Sequence, residues 1–268
     1  MTQPAATGLM APPPDPSTFP AVNLDVSSVD QSNWDKAENR HWAFWNMEKI
    51  PLGMVELPRG TGPVSALRPA QRDLSAVRIP LFGREMTLDE WREAFTNNGI
   101  IVVRGDEILH EAYGYGMSME DRHTIMSITK TTVCALIGQL VLDGKIRLDA
   151  KVRAYVPEIG SAYADATVQD TLDMNVTNDY SEEYADPGAD VYAQQSAYDW
   201  YPDPDNRWPG GNRQYLATLT GSDIAGTGET QYKSANTDVL QWAIENVTGR
   251  NFNDLVADLW SRLGAGSS

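Results

Sequence analysis

Residues 123–149 read HTIMSITKTTVCALIGQLVLDGKIRLD. Apolar residues recur there at helical spacing and Asp143-Gly144 is a stop signal, which predicts a helix from about Ser127 to Leu142. The first turn is unusual. Ser127 and Lys130 stand three residues apart, and core packing has no use for that pair. Either Ser127 caps the helix and Lys130 extends into water, or the two are a nucleophile and its base.

Physical chemistry gives the second reading a basis. The first amides of a helix have no intrahelical partner and carry partial positive charge, so they can stabilise an oxyanion beside them. A lysine three residues on shares the serine's face, and its amine can reach the hydroxyl as a general base. Ser127 is the only serine in the chain followed at this spacing by lysine. The spacing alone does not separate the two readings.

Composition removes other classes. The chain of 268 residues holds 37 acidic against 21 basic residues, a formal charge of −16. That disfavours nucleic acid or an anionic membrane surface as partner, because both are held by clustered Lys and Arg. No apolar run approaches the length of a membrane span. The first twenty residues, MTQPAATGLMAPPPDPSTFP, lack the basic and apolar regions of a secretory signal, and the single cysteine, Cys134, has no internal disulfide partner. A cytoplasmic location is expected, with Cys134 packed on the apolar side of its helix.

Other catalytic schemes lack their signatures. There is no G-x-S-x-G elbow. His41, His110 and His123 are far apart and match no metal spacing, so structural roles are expected for them and no metal or cofactor is expected at all. The GTG at 226–228 follows no apolar strand and is not a dinucleotide fingerprint. The carboxylates of YSEEYADPGAD form no metal-loop pattern.

Along the chain, residues 1–40 read as an extended arm, 41–126 as the first part of an α/β region, and 127–268 as the active-site helix and a helical region. Trp42, Phe44 and Trp45 crowd together and need an apolar surface on which to dock. MTLDEWREAFTNNG (residues 86–99) predicts a short helix with a Thr87–Glu90 capping box, ended by Gly99. IIVVRGDEILHEAYGYG (100–116) predicts a hairpin turning at Gly105-Asp106. TVQDTLDM predicts another helix, residues 175–212 an irregular stretch, and NTDVLQWAIENVTG and NFNDLVADLWSRLG two amphipathic helices with glycine stops. Two good strands are too few for an α/β layer. Weaker strands are therefore expected in residues 50–82, and others from polypeptide outside this sequence.

The stretch from His123 onward resembles the active-site segment of serine hydrolases related to class C β-lactamases and penicillin-binding proteins. DYSEEYADPGADV, YKSANTDVLQWAIENVTGRNFNDLVADLW and NWDKAENRHWAF resemble more narrowly the 6-aminohexanoate-dimer hydrolases and their carboxylesterase relatives. The likeness runs over about residues 33–264. It implies an α/β (α+β) fold of β-lactamase/transpeptidase-like type, an antiparallel sheet flanked by helices plus a helical region. It implies acylation of Ser127, with Lys130 as its partner and Tyr232 as the tyrosine of the second motif. Ser234 stands where β-lactamases have asparagine, which agrees with the esterase and nylon-oligomer branch, and Tyr184 matches a tyrosine that contacts the scissile amide. Both are expected to bind substrate. The family's third motif, on a late strand, does not follow Tyr232. The C-terminal strands of the fold are thus expected from a second chain or a missing segment.

The expected activity is hydrolysis of small esters or linear amides through an acyl-enzyme. A D-amino-acid peptidase or β-lactamase is the alternative within the class, and a non-catalytic binding or scaffold protein the alternative outside it. Homodimerisation is a further option.

Overall fold

The computed structural model describes residues 26–50, 52–57, 62–81, 83–221 and 228–265. Most of the expected N-terminal arm, and Gly226 and Thr227 of the GTG, lie outside the described residues. Two compact units divide the chain, one of residues 1–50 and 65–124, the other of 51–64 and 125–268.

In the first unit a short helix α1 (Arg40–Ala43) follows the turns around Trp34. The aromatic crowding finds its surface here. Trp34 is buried and packs against Phe44 with ring centroids 6.0 Å apart, and Trp45 Nε1 donates to the His41 carbonyl at 2.8 Å. Weak strands do lie in residues 50–82, namely β1 (Arg68–Pro69) and β2 (Ile79–Leu81). The latter pairs antiparallel with β3 (Arg84–Met86).

Helix α2 (Leu88–Ala94) begins with the predicted capping box, Thr87 accepting from the Glu90 amide and Glu90 from the Thr87 amide. It ends earlier than expected. Thr96 takes a left-handed φ of +49°, which breaks the helix before Gly99, and Gly99 instead opens the next strand. The predicted hairpin is β4 (Gly99–Arg104) and β5 (Glu107–Tyr113), antiparallel, with a register shift between Val102 and Val103. Gly105, at φ +62°, supplies the turn conformation that a side chain would strain. Strand β1 joins parallel to β5, so the sheet is mixed rather than purely antiparallel. The Arg68 guanidinium grips Asp106 at 2.8 and 3.1 Å, which fixes that register.

The second unit is helical. A 3-10 turn (Met126–Thr129) leads into α3 (Lys130–Leu142), so Ser127 precedes the α-helix instead of opening it. Then come α4 (Ser161–Ala164), α5 (Val168–Leu172) with a Thr167–Asp170 capping box, α6 (Asp190–Ala197), α7 (Gly211–Thr218), α8 (Ser234–Thr248) and α9 (Phe252–Leu263). Gly249 and Gly264, both left-handed, stop the last two as predicted.

Helix α8 is the hub. One side of it, with Val239 and Ala243, packs into a core with Val156, Tyr163 and Leu216. The other, with Leu240 and Ile244, meets Val133, Ile137 and Leu140 of α3 and Phe252 of α9. Burying a side chain such as Ile137 or Ile244 contributes about 1.5–3 kcal/mol. The stripes of both final helices thus find partners inside this unit. Gly160 permits one close approach: a Cβ there would stand 2.3 Å from the Leu219 carbonyl oxygen.

Two expectations are corrected here. Cys134 is exposed. Helix α3 buries Thr132, Val133, Ile137 and Leu140, and its apolar residues extend so far round the helix that Leu142 is exposed too. Composition therefore did not reveal the buried side. Helix α6 lies within the stretch read as irregular. Its buried residues include Gln194, Gln195 and Ser196, so hydrophobic periodicity is blind to it.

Candidate active site

The 3-10 turn before α3 presents Ser127 outward. Met126, just before it, has φ +45°, a left-handed conformation that costs a non-glycine residue about 1–3 kcal/mol. The backbone bends there, and Ser127 is left exposed. Its side chain caps nothing, and no side-chain cap bond closes the start of α3. Instead, Ser127 Oγ accepts from Lys130 Nζ at 3.0 Å and from Tyr232 Oη at 2.6 Å. Lys130 Nζ also lies 5.3 Å from the centroid of the Tyr232 ring. Three residues read as a group from the sequence, two of them 105 positions from the third, meet at one oxygen. Because a hydroxyl both donates and accepts, the tyrosine–serine contact can carry a proton in either direction.

The apolar seam between α3 and α8 sets this geometry, since Tyr232 directly precedes the N-cap of α8. That N-cap is Lys233, extended at φ −145° and ψ 119°. Its buried ammonium donates to the Asn178 carbonyl at 2.9 Å and the Asn178 side-chain oxygen at 2.7 Å, and burial lowers its pKa. In an extended segment alternate side chains point to opposite sides. Driving Lys233 inward therefore turns Tyr232 and Ser234 to the other side.

Tyr184 and Ser234, the two expected substrate contacts, are brought together by a residue the sequence did not single out. Glu182 accepts from Tyr184 Oη at 2.6 Å, from Ser234 Oγ at 2.8 Å and from the Ser234 amide. Burial and the Glu182 carboxylate push the Tyr184 hydroxyl well above the ordinary phenol range, with a smaller push from Tyr232. Its ring meets Tyr192 edge-on at 6.4 Å, and Tyr192 Oη donates to the Tyr184 carbonyl at 2.8 Å.

Asp238, one turn into α8, is a second unforeseen carboxylate. Asn212 Nδ2 and Gln194 Nε2 donate to its Oδ2 at 2.7 and 2.8 Å. Burial pushes its carboxyl up to about 6, against the lowering influence of Asn212, Lys130 and Gln194 and with a further push from Glu182. A carboxyl that ionises at about 6 when folded, and near 3.8 when unfolded, withdraws stability as pH rises between those values. The amount withdrawn above pH 6 is roughly 3 kcal/mol. Asp238→Asn keeps an oxygen for both amides and has no charge to bury. Its gain in unfolding free energy should be roughly twice as large at pH 8 as at pH 5. Urea titrations at the two pH values measure this, and equal gains would mean that the folded carboxyl ionises normally.

The histidines lie elsewhere, in the first unit. His123 contacts the Thr124 carbonyl at 2.7 Å and Asn98 Oδ1 at 3.2 Å, and His110 contacts Gln71 at 3.3 Å. Burial lowers the pKa of His41. Among the described residues no group of His, Cys, Asp and Glu could hold a metal ion. No helix among them is long and apolar enough to cross a membrane.

Comparison with known proteins agrees with this geometry. The beta-lactamase family model matches residues 98–265. The 6-aminohexanoate-dimer hydrolase of Paenarthrobacter ureafaciens is 34% identical over 254 residues, which are 93% of this chain and 61% of that protein. A solved Bacillus anthracis structure, provisionally described as a 6-aminohexanoate-dimer hydrolase, aligns with a TM-score of 0.77 at 21% identity, over 90% of this chain and 63% of its own. The chain thus spans about three fifths of the length of each.

Proposed function

The chain belongs to the beta-lactamase family and has its β-lactamase/transpeptidase-like fold, and we propose that it is a serine hydrolase of small carboxylic esters or linear amides. The observation that carries this reading is Ser127 Oγ, held at once by Lys130 Nζ at 3.0 Å and Tyr232 Oη at 2.6 Å. In the proposed reaction Ser127 Oγ attacks the acyl carbon, and its proton passes to the Lys130–Tyr232 pair. The tetrahedral intermediate collapses, the alcohol or amine leaves with that proton through Tyr232, and water then releases the acid. The pair takes up one proton and gives one back, so it is unchanged after each half-reaction.

Linear amides enter the proposal through the Paenarthrobacter relative's name and through Ser234, where β-lactamases have asparagine. Side-by-side assays of p-nitrophenyl acetate, nitrocefin and the linear 6-aminohexanoate dimer test it. Turnover of the ester and the dimer is expected, with nitrocefin left intact. Hydrolysis of nitrocefin alone would move the protein to the β-lactamases, and no turnover or labelling with any of them would favour a binding role.

A further inference from the structure

The first turn of α8 is capped from outside the helix. Lys233, its N-cap, offers no side-chain acceptor, so the amide of Ser234 would be an orphan donor. Glu182, 52 residues earlier, accepts from that amide and also from Ser234 Oγ and Tyr184 Oη. One carboxylate therefore engages three donors. Two are hydroxyls, and each has a single proton to give. With that proton committed to Glu182, a hydroxyl has only lone pairs left to offer a ligand.

We infer that Glu182 is a positioning residue that fixes the hydrogen-bond polarity of Tyr184 and Ser234, so that the site presents acceptors to its substrate and selects acyl compounds bearing an N–H at the scissile bond. The inference rests on the proposed serine-hydrolase reading and adds a basis for choice between its two substrate classes. A secondary amide has a proton to donate to Tyr184 Oη. An ester has none, and its oxygen would face the lone pairs of Tyr184.

Glu182→Gln reverses the arrangement while nearly preserving shape. The backbone amide of Ser234 can only donate, so it claims the glutamine oxygen. The glutamine NH2 then faces the hydroxyls, which must accept from it and turn their own protons outward. Tyr184 becomes a donor toward substrate, suited to an ester oxygen and opposed to an amide N–H.

The test uses the p-nitroanilide and the p-nitrophenyl ester of one short acyl chain, with the ratio of their kcat/KM values as readout. Glu182→Gln should lower the anilide-to-ester ratio about tenfold or more, the effect of one misplaced hydrogen bond to a buried polar group. Tyr184→Phe, which leaves the cap on α8 untouched, should lower the ratio comparably, and the double variant should fall no further. Anilide and ester rates that drop together would reduce Glu182 to a structural cap and overturn the inference, and so would an unchanged ratio in either variant. Reaction of wild-type Ser127 with a small phosphonate is the control. Its absence would remove the serine-hydrolase reading, and this inference with it, whereas labelling with an unchanged ratio removes only the inference.

Discussion

Ser127→Ala is expected to reduce turnover to background, a loss of about 10^5-fold or more, as when other serine hydrolases lose their nucleophile. The fold should be unaffected. Ser127 is exposed, caps no helix, and loses with its hydroxyl only the contacts from Lys130 and Tyr232. Intact-mass measurement after treatment with a slow ester or phosphonate should find one adduct per chain, and peptide mapping should place it on Ser127. The alanine variant should take up none. An adduct on another serine, or on exposed Cys134, would transfer the nucleophile's role there and break the proposed mechanism.

Loss of the proton relay should be nearly as severe. Lys130→Arg keeps the charge, but a guanidinium does not give up its proton and cannot serve as base. Tyr232→Phe keeps the ring beside Lys130 and removes the hydroxyl 2.6 Å from Ser127 Oγ. Each should lower kcat by about 10^3-fold, within the range of general acid–base catalysis. The double variant should be about as slow as the slower single one, because both residues are proposed to handle the same proton. Single-turnover acylation rates would show it directly. Losses that multiply would mean that lysine and tyrosine act in separate steps.

Features governed by local rules were legible in the sequence. The Thr87–Glu90 capping box, the Gly105-Asp106 turn and the glycines ending α8 and α9 each depend on a few neighbouring residues. Ser127, Lys130 and Tyr232 could be grouped because a resemblance spanned the 105 residues between serine and tyrosine. What was missed depends on distant partners or on polar burial. Glu182 looked like one more acid in a solvated loop until Ser234 lay beside it. Lys233 looked like a surface charge until Asn178 enclosed its ammonium. Asp238 sat on an apparently polar face that Asn212 and Gln194 cover. Gln194 also hid α6, since its burial depends on hydrogen bonds that no hydropathy pattern records. Cys134 was placed on the wrong side of α3, because a helix apolar nearly all round does not declare which stripe is buried.

The seam between α3 and α8 separates two kinds of inheritance. Nucleophile and tyrosine are held in register by the aliphatic packing of Val133, Ile137, Leu140, Leu240 and Ile244, and a change there disturbs every reaction the protein performs. Preference among acyl compounds is assigned to a carboxylate and a phenol in the connection between α5 and α6, where substitutions leave those helices' packing alone. Lineages that share this seam can therefore drift to new diets by editing a few loop positions, with the chemical engine passed on intact.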